Sequence, residues 1–192
     1  MVRQSTAGAC KAWANPQIKA GYLFVPFILI GFVWMFSAKP ALWSLAVYAL
    51  LWPMAFIDWH SHRLPNLLTA LFFMAGALYV MAARTEVVGD HLIGAGAGLA
   101  VLPTINLLYR GLRGRDGIGL GDAKLLAGAG VWLGWQALPF VLLLASVFGL
   151  AFAGILMIVG KPVDGSTRVA FGPFLCLAIW LAWLDPLQIF LF

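Results

Sequence analysis

Charge is what this chain has least of. Of its 192 residues, 12 are Lys or Arg and 7 are Asp or Glu, 10% in all, where an ordinary soluble domain carries about 25%. Hydrophobic residues make up 63%. So little charge with so much apolar side chain excludes a disordered chain, which needs the reverse composition. It also excludes a water-soluble globule, because a domain this small has too little interior to hide that surface. Cysteine is scarce too. Cys10 and Cys176 cannot build a disulfide framework or a four-cysteine zinc site, and they are read as two unpaired thiols. The net charge of +5 would suit a nucleic-acid partner, but the basic residues sit in short loops between apolar runs. That pattern is topology control in a bilayer, and no nucleic-acid partner is expected.

What is there is a series of apolar runs. A helix crossing the hydrocarbon core needs about 20 mostly apolar residues. Charge-free runs span 20–38, 40–57, 64–83, 92–109, 125–160 and 169–184. The run 125–160 is too long for one crossing, and Gly134-Trp135-Gln136-Ala137-Leu138-Pro139 offers a break inside it. The chain is therefore expected to be all-α, a polytopic membrane bundle of about seven transmembrane helices within a range of six to eight. The fifth is short, about 122–134, and the sixth covers about 138–159. Residues 1–19 form an N-terminal segment and 20–192 one membrane-embedded domain. The first apolar run is too long for a signal-peptide core and lacks a clear small-residue cleavage site, so it is expected to be retained.

Orientation follows from the basic residues. With a cytoplasmic N-terminus, Arg3, Lys11, Lys19, Arg63, Arg110, Arg113, Arg115, Lys124, Lys161 and Arg168 fall inside, and only Lys39 and Arg84 outside. Ten against two is a strong positive-inside bias. Glycine is plentiful, at 21 residues. Gly94 to Gly98 and Gly130 to Gly134 are small-xxx-small patterns that let helix backbones come close in lipid. Trp59, Trp132, Trp135 and Trp183 lie near span ends and are expected to be interfacial anchors.

The scarcity of acid makes each carboxylate worth placing. Glu86, Asp90, Asp116, Asp164 and Asp185 fall in polar loops or at a span end and are read as solvated charges. Asp58 ends one apolar run, and Asp122 opens another. Both lie at the cytoplasmic boundary, where an ionisable group is costly and is a functional candidate. Each has a structural alternative. Asp122 could be a helix N-cap after Gly119 and Gly121. Asp58 could be an interfacial charge beside Arg63. The functional reading is a carboxylate pair that shares a proton and activates water against a peptide carbonyl. Such chemistry needs no metal and no cofactor. His60 and His62 flank Ser61, but residues two apart do not share a helix face, and no second ligand cluster accompanies them. Neither is assigned a role, and no metal is expected.

Three segments resemble the prepilin leader peptidases, the membrane aspartic peptidases of type IV pili and type II secretion. The first is Ile57-Asp58-Trp59-His60-Ser61-His62-Arg63-Leu64-Pro65-Asn66-Leu67-Leu68-Thr69. The second is Gly119-Leu120-Gly121-Asp122-Ala123-Lys124-Leu125-Leu126, with Gly130 to Trp135 after it. The third is Ala170-Phe171-Gly172-Pro173-Phe174-Leu175, with Ala170 where the family often has proline. Together they cover about residues 40 to 185. The resemblance implies Asp58 and Asp122 as the catalytic pair. Gly119, Gly121, Lys124, Pro65, Asn66, Gly172 and Pro173 are read as substrate-binding or site-shaping residues. It further implies cleavage of a short basic leader from a prepilin or pseudopilin at the cytoplasmic face of a bacterial inner membrane. Bifunctional members carry a large cytoplasmic segment with paired Cys-x-x-Cys motifs after the first helix. Here that connection is only about 39–40, so the resemblance is to the short, peptidase-only form, without N-methyltransferase activity.

Two other classes stay open at this level. A small transporter or a pilus or secretion assembly module could use Asp58 and Asp122 for protons or partners. Transporters favour mid-membrane charge and internal repeats, and no repeat is visible. A presenilin-like Gly-x-Gly-Asp protease would pair a Tyr-Asp motif with it, whereas Ile57 precedes Asp58 here.

Overall fold

The computed structural model describes residues 41–114, 119–158 and 170–184. The expected helix over 20–38 and the segment 1–19 lie outside these residues. So do Lys39, Cys10, Asp116, Arg115, Asp164, Lys161, Arg168 and Asp185. Six α-helices make up nearly all of what is described: α1 (Ala41–Ser61), α2 (Asn66–Ala83), α3 (Val88–Arg113), α4 (Leu120–Leu133), α5 (Leu138–Ile158) and α6 (Gly172–Leu184), with one 3-10 turn, Thr85–Val87, before α3. The described residues contain no strand. The chain is an all-helical, polytopic membrane bundle.

Local chemistry sets the helix ends. α1 stops where His62 enters the left-handed region at φ 51° and its N–H closes on the Asp58 carbonyl at 2.8 Å. Pro65 then caps the start of α2 in an extended conformation, a place where its missing N–H costs nothing. α3 ends at Gly114, left-handed at φ 68°, and α4 ends at Gly134 at φ 81°. Glycine takes positive φ at little steric cost, so the break expected at 134–139 falls there.

Length divides the helices into two kinds. α1, α2, α5 and the segment Thr85–Leu112 are long and apolar enough to cross a membrane. α4 and α6 are shorter, with 14 and 13 residues. At 1.5 Å per residue they reach about 20 Å, well short of the roughly 30 Å of a hydrocarbon core. They lie inside: α4 packs on α2, α3, α5 and α6, while α6 packs on α1 and α5 as well. Most residues of both are buried. The long helices turn Leu78, Leu107, Leu150 and Ile155 outward, the side that meets lipid.

Between helices in lipid there is no water to expel, so association rests on close contact and hydrogen bonds. The glycine pairing supplies the contact. At Gly94 an added Cβ would lie 2.6 Å from the Gly130 carbonyl oxygen, and at Gly98 one would lie 2.5 Å from the Leu126 carbonyl oxygen. The backbones of α3 and α4 therefore touch, as the small-residue patterns predicted. His91 of α3 reaches across with Nδ1 2.7 Å from the Val131 carbonyl.

The tryptophans depart from expectation. Trp132 and Trp183 are each only 2% exposed and form a core rather than an interfacial belt. Trp132 stacks on Phe72 and Tyr79, with centroids at 5.8 and 5.3 Å, and meets Trp183 edge-on at 5.3 Å. The indole N–H of Trp132 donates to the Phe72 carbonyl at 2.9 Å, and that of Trp183 to Ser44 Oγ at 3.0 Å. With the polar atom satisfied internally, the ring has no need of the headgroup layer. Trp135 is exposed, and its N–H donates to Asp90 at 3.1 Å.

Candidate active site

The last turn of α1 and the first turns of α2, α4 and α6 meet at one end of the bundle, and they carry the residues singled out from the sequence. Asp58, from α1, is 6% exposed. Its acceptor oxygen Oδ2 receives the Gly172 backbone N–H at 3.1 Å. Asp58 is thus drawn to the start of α6 and not outward toward Arg63, which is exposed. The interfacial-charge alternative fails because the carboxylate is buried and bonded to a backbone amide.

Asp122 lies in the first turn of α4, half-buried. It is not the N-cap. That position is Gly119, and no side chain caps the helix. The capping alternative therefore fails as well: Asp122 sits three residues inside the helix. Asp58 and Asp122 are within electrostatic reach of each other. Both also reach Cys176, a free, fully buried thiol one turn into α6.

The other expected residues arrange themselves around this pair. Lys124 Nζ donates to Asn66 Oδ1 at 2.8 Å, tying the start of α2 to α4. The hydroxyl of Thr69 donates back to the Asn66 carbonyl at 3.0 Å, steadying the same turn. Gly121 faces Leu64, whose Cβ would lie 3.1 Å from an added Cβ. Gly119 is exposed and would place a Cβ 3.8 Å from Asp122 Oδ2. Pro173 is buried in the first turn of α6, where proline's fixed φ is already helical. Gly172 has the tightest surroundings: a Cβ there would fall 2.5 Å from Asp58 Oδ2 and 2.8 Å from its Cγ.

Two features were not evident from the sequence. His62, left without a role there, comes within electrostatic reach of Asp58. The only signal was its place four residues after an aspartate at a helix end. A cavity of about 110 Å³ opens beside Gly119, between Leu102, Pro103, Asn106 and Arg110 of α3 and Leu120 of α4. Only the packing of α3 on α4 creates it. Among the described residues, no three His, Cys, Asp or Glu side chains gather as a metal site. The arrangement offers two carboxylates within electrostatic reach of each other, one held by an amide, at the end of a membrane bundle. Two such acids cannot both ionise comfortably, so they can hold one proton between them.

Comparison with known proteins gives a consistent likeness. A family model described as the type IV leader peptidase family matches residues 45–154. A prepilin leader peptidase/N-methyltransferase of Aeromonas hydrophila is 38% identical over 180 residues, 91% of this chain and 61% of that protein. Proteins of the same name from Klebsiella pneumoniae and Pseudomonas aeruginosa are 41% and 34% identical, over 62% and 79% of this chain and 52% and 50% of theirs. The chain thus spans about half to three-fifths of the length of the curated relatives it matches. No solved structure matches it.

Proposed function

The chain belongs to the type IV leader peptidase family, and from its paired carboxylates we propose that it is a membrane aspartic endopeptidase that removes the short basic leader of prepilins or prepilin-like proteins. The observation that carries this reading is the meeting of Asp58 and Asp122 at one end of the bundle, with the Gly172 amide on Asp58. One carboxylate, ionised, takes a proton from water; the other, protonated, hydrogen-bonds the scissile carbonyl. No covalent intermediate, metal or cofactor enters the reaction. Gly119, where a Cβ would lie 3.8 Å from Asp122 Oδ2, and the Lys124–Asn66 pair are the residues this reading assigns to the border of the substrate strand.

The protein acts in the bacterial inner membrane with the acids on the cytoplasmic side. Support comes from the ten-to-two distribution of basic residues. Its partners are the prepilin substrate and the bilayer. Methylation of the new N-terminus is not expected from these residues. The paired Cys-x-x-Cys motifs of the bifunctional members have no counterpart in Cys10 and Cys176.

Co-expression with a prepilin tests the reading. Wild-type protein is expected to give a leader-sized mobility shift and a mature N-terminus without added methyl mass. Asp58→Asn and Asp122→Asn are each expected to abolish the shift at normal protein levels. Cleavage by either variant would remove that residue from catalysis. Methyl mass that depends on this protein alone would overturn the peptidase-only part.

A further inference from the structure

We propose that the two carboxylates are not interchangeable: Asp58 is the base that takes the proton of the attacking water, Asp122 is the acid, and Gly172 is the positioning residue that fixes this division. The inference rests on the peptidase reading above and assigns its roles.

Three observations separate the acids. The Gly172 N–H is aimed at Asp58 Oδ2, and such a bond is stronger when its acceptor is charged. Gly172 also opens α6, so it belongs to the N–H-rich end of a helix, which favours a negative partner. Asp122 sits in the first turn of its own helix, so a helix end alone does not distinguish the two; the aimed amide does. The second observation is His62. It is the only non-glycine residue with positive φ among the described residues, a conformation that costs energy for a side chain with a Cβ. That turn closes the His62 N–H on the Asp58 carbonyl at 2.8 Å, and the exposed imidazole stays within electrostatic reach of the carboxylate. The third is Lys124, the cation nearest Asp122 in sequence. Its amine is committed to Asn66, and among the described residues no group donates a hydrogen bond to Asp122.

The reaction then runs in a definite sense. Asp58 removes one proton from water as the water oxygen bonds to the scissile carbonyl carbon. The carbonyl π pair moves to oxygen, which takes the proton of Asp122, leaving a gem-diol. The C–N bond breaks as the proton held by Asp58 passes to nitrogen. One diol hydroxyl returns its proton to Asp122, and the leader leaves as an acid with the dyad restored. Throughout, Gly172 holds Asp58 in place without touching substrate. Its missing Cβ is required, since any side chain would occupy the space of the carboxylate.

The test uses the full chain in detergent and a synthetic peptide spanning a leader cleavage site, made with either an amide or an ester at the scissile bond. An ester carbonyl is more electrophilic than an amide carbonyl, so attack on it needs less of the proton that Asp122 gives the oxygen, while the water must still lose its proton to the base. On the amide, both Asp→Asn variants are expected at background; cleavage by either would remove that residue from the catalytic pair, whereas no cleavage by the wild-type protein would remove the peptidase reading itself. On the ester, Asp122→Asn is expected to cleave at least about tenfold faster than Asp58→Asn, a modest part of what a positioned acid or base contributes. Equal rates, or the reverse order, would overturn the assignment while leaving the dyad standing. Gly172→Ala is expected to lower kcat by about tenfold or more with KM nearly unchanged, the mark of a displaced reacting group. An unchanged kcat would overturn the role of Gly172. His62→Gly relieves the left-handed turn, so its fold is safe. Its thermal midpoint is expected to hold or rise while kcat falls severalfold, and an unchanged kcat would remove His62 from the argument.

Discussion

At one end of α4 stand Asp122 and its neighbours Asp58, Gly172, Asn66 and Lys124. At the other, about three turns on, stand Trp132, Tyr79, Trp183 and the glycine contact with α3. The first end is polar and partly open, and it holds two acids close together. The second is buried and aromatic, and the indole hydrogens of Trp132 and Trp183 are bonded within it. Like acids repel, and the cavity beside Gly119 forgoes contacts, so the first end adds little to stability. The second end offsets this with stacked rings, each pair worth about 0.5–1.5 kcal/mol beyond the area it buries. Function and stability are thus spatially divided along one short helix.

Substitutions at the aromatic end should sharpen that contrast. Trp132→Ala empties the centre of the ring cluster and is expected to cost about 3 kcal/mol or more. Thermal unfolding in detergent should show a much lower midpoint, while kcat per folded molecule stays near wild type. Next comes Gly94→Ala, which forces the backbones of α3 and α4 apart. An expected loss of about 1–3 kcal/mol would again appear in the midpoint and in the yield of folded protein. Trp183→Phe keeps most of the ring but removes the bond to Ser44, and should cost about 1 kcal/mol with no change in cleavage. Lys124→Met at the other end is the smallest in stability, within about 0.5 kcal/mol for an exposed site. It should nonetheless slow cleavage severalfold. If it shifted the midpoint as far as Trp132→Ala while sparing activity, the division of labour would break.

Much of the acid end was legible because polar residues are rare in this chain, and each one stands out against its surroundings. Asp58 and Asp122 could be picked out as candidates without coordinates, whereas Gly172 and Pro173 came only with the resemblance to the prepilin peptidases. The meeting of α3 and α4 was legible too, because glycine in an apolar helix has few other uses. The aromatic end was not legible. In lipid both the outward and the inward faces of a helix are apolar, so hydropathy carries no direction. α4 is apolar on every side because it is surrounded by protein, and its composition matches that of a lipid-facing span. Hence Trp132 and Trp183 passed for interfacial anchors, and the short reach of α4 did not reveal that it lies inside. The start of α4 at Leu120, rather than at the expected position of about 122, has a related reason. Gly119 and Asp122 both suit a helix start, and only backbone geometry shows that the helix begins first.

The clamp at the far end of α4 has a mechanical consequence. Gly134, the Gly94–Gly130 contact and the His91–Val131 bond fix that terminus in both height and rotation. From Gly134 back to Asp122 the helix rises about 18 Å, so α4 behaves as a ruler with the carboxylate at its free mark. One alanine added between Asp122 and Leu126 would advance the mark by about 1.5 Å and swing it through about 100°. The clamp would stay where it is, and Asp122 would face away from Asp58, a phase error in an otherwise intact bundle.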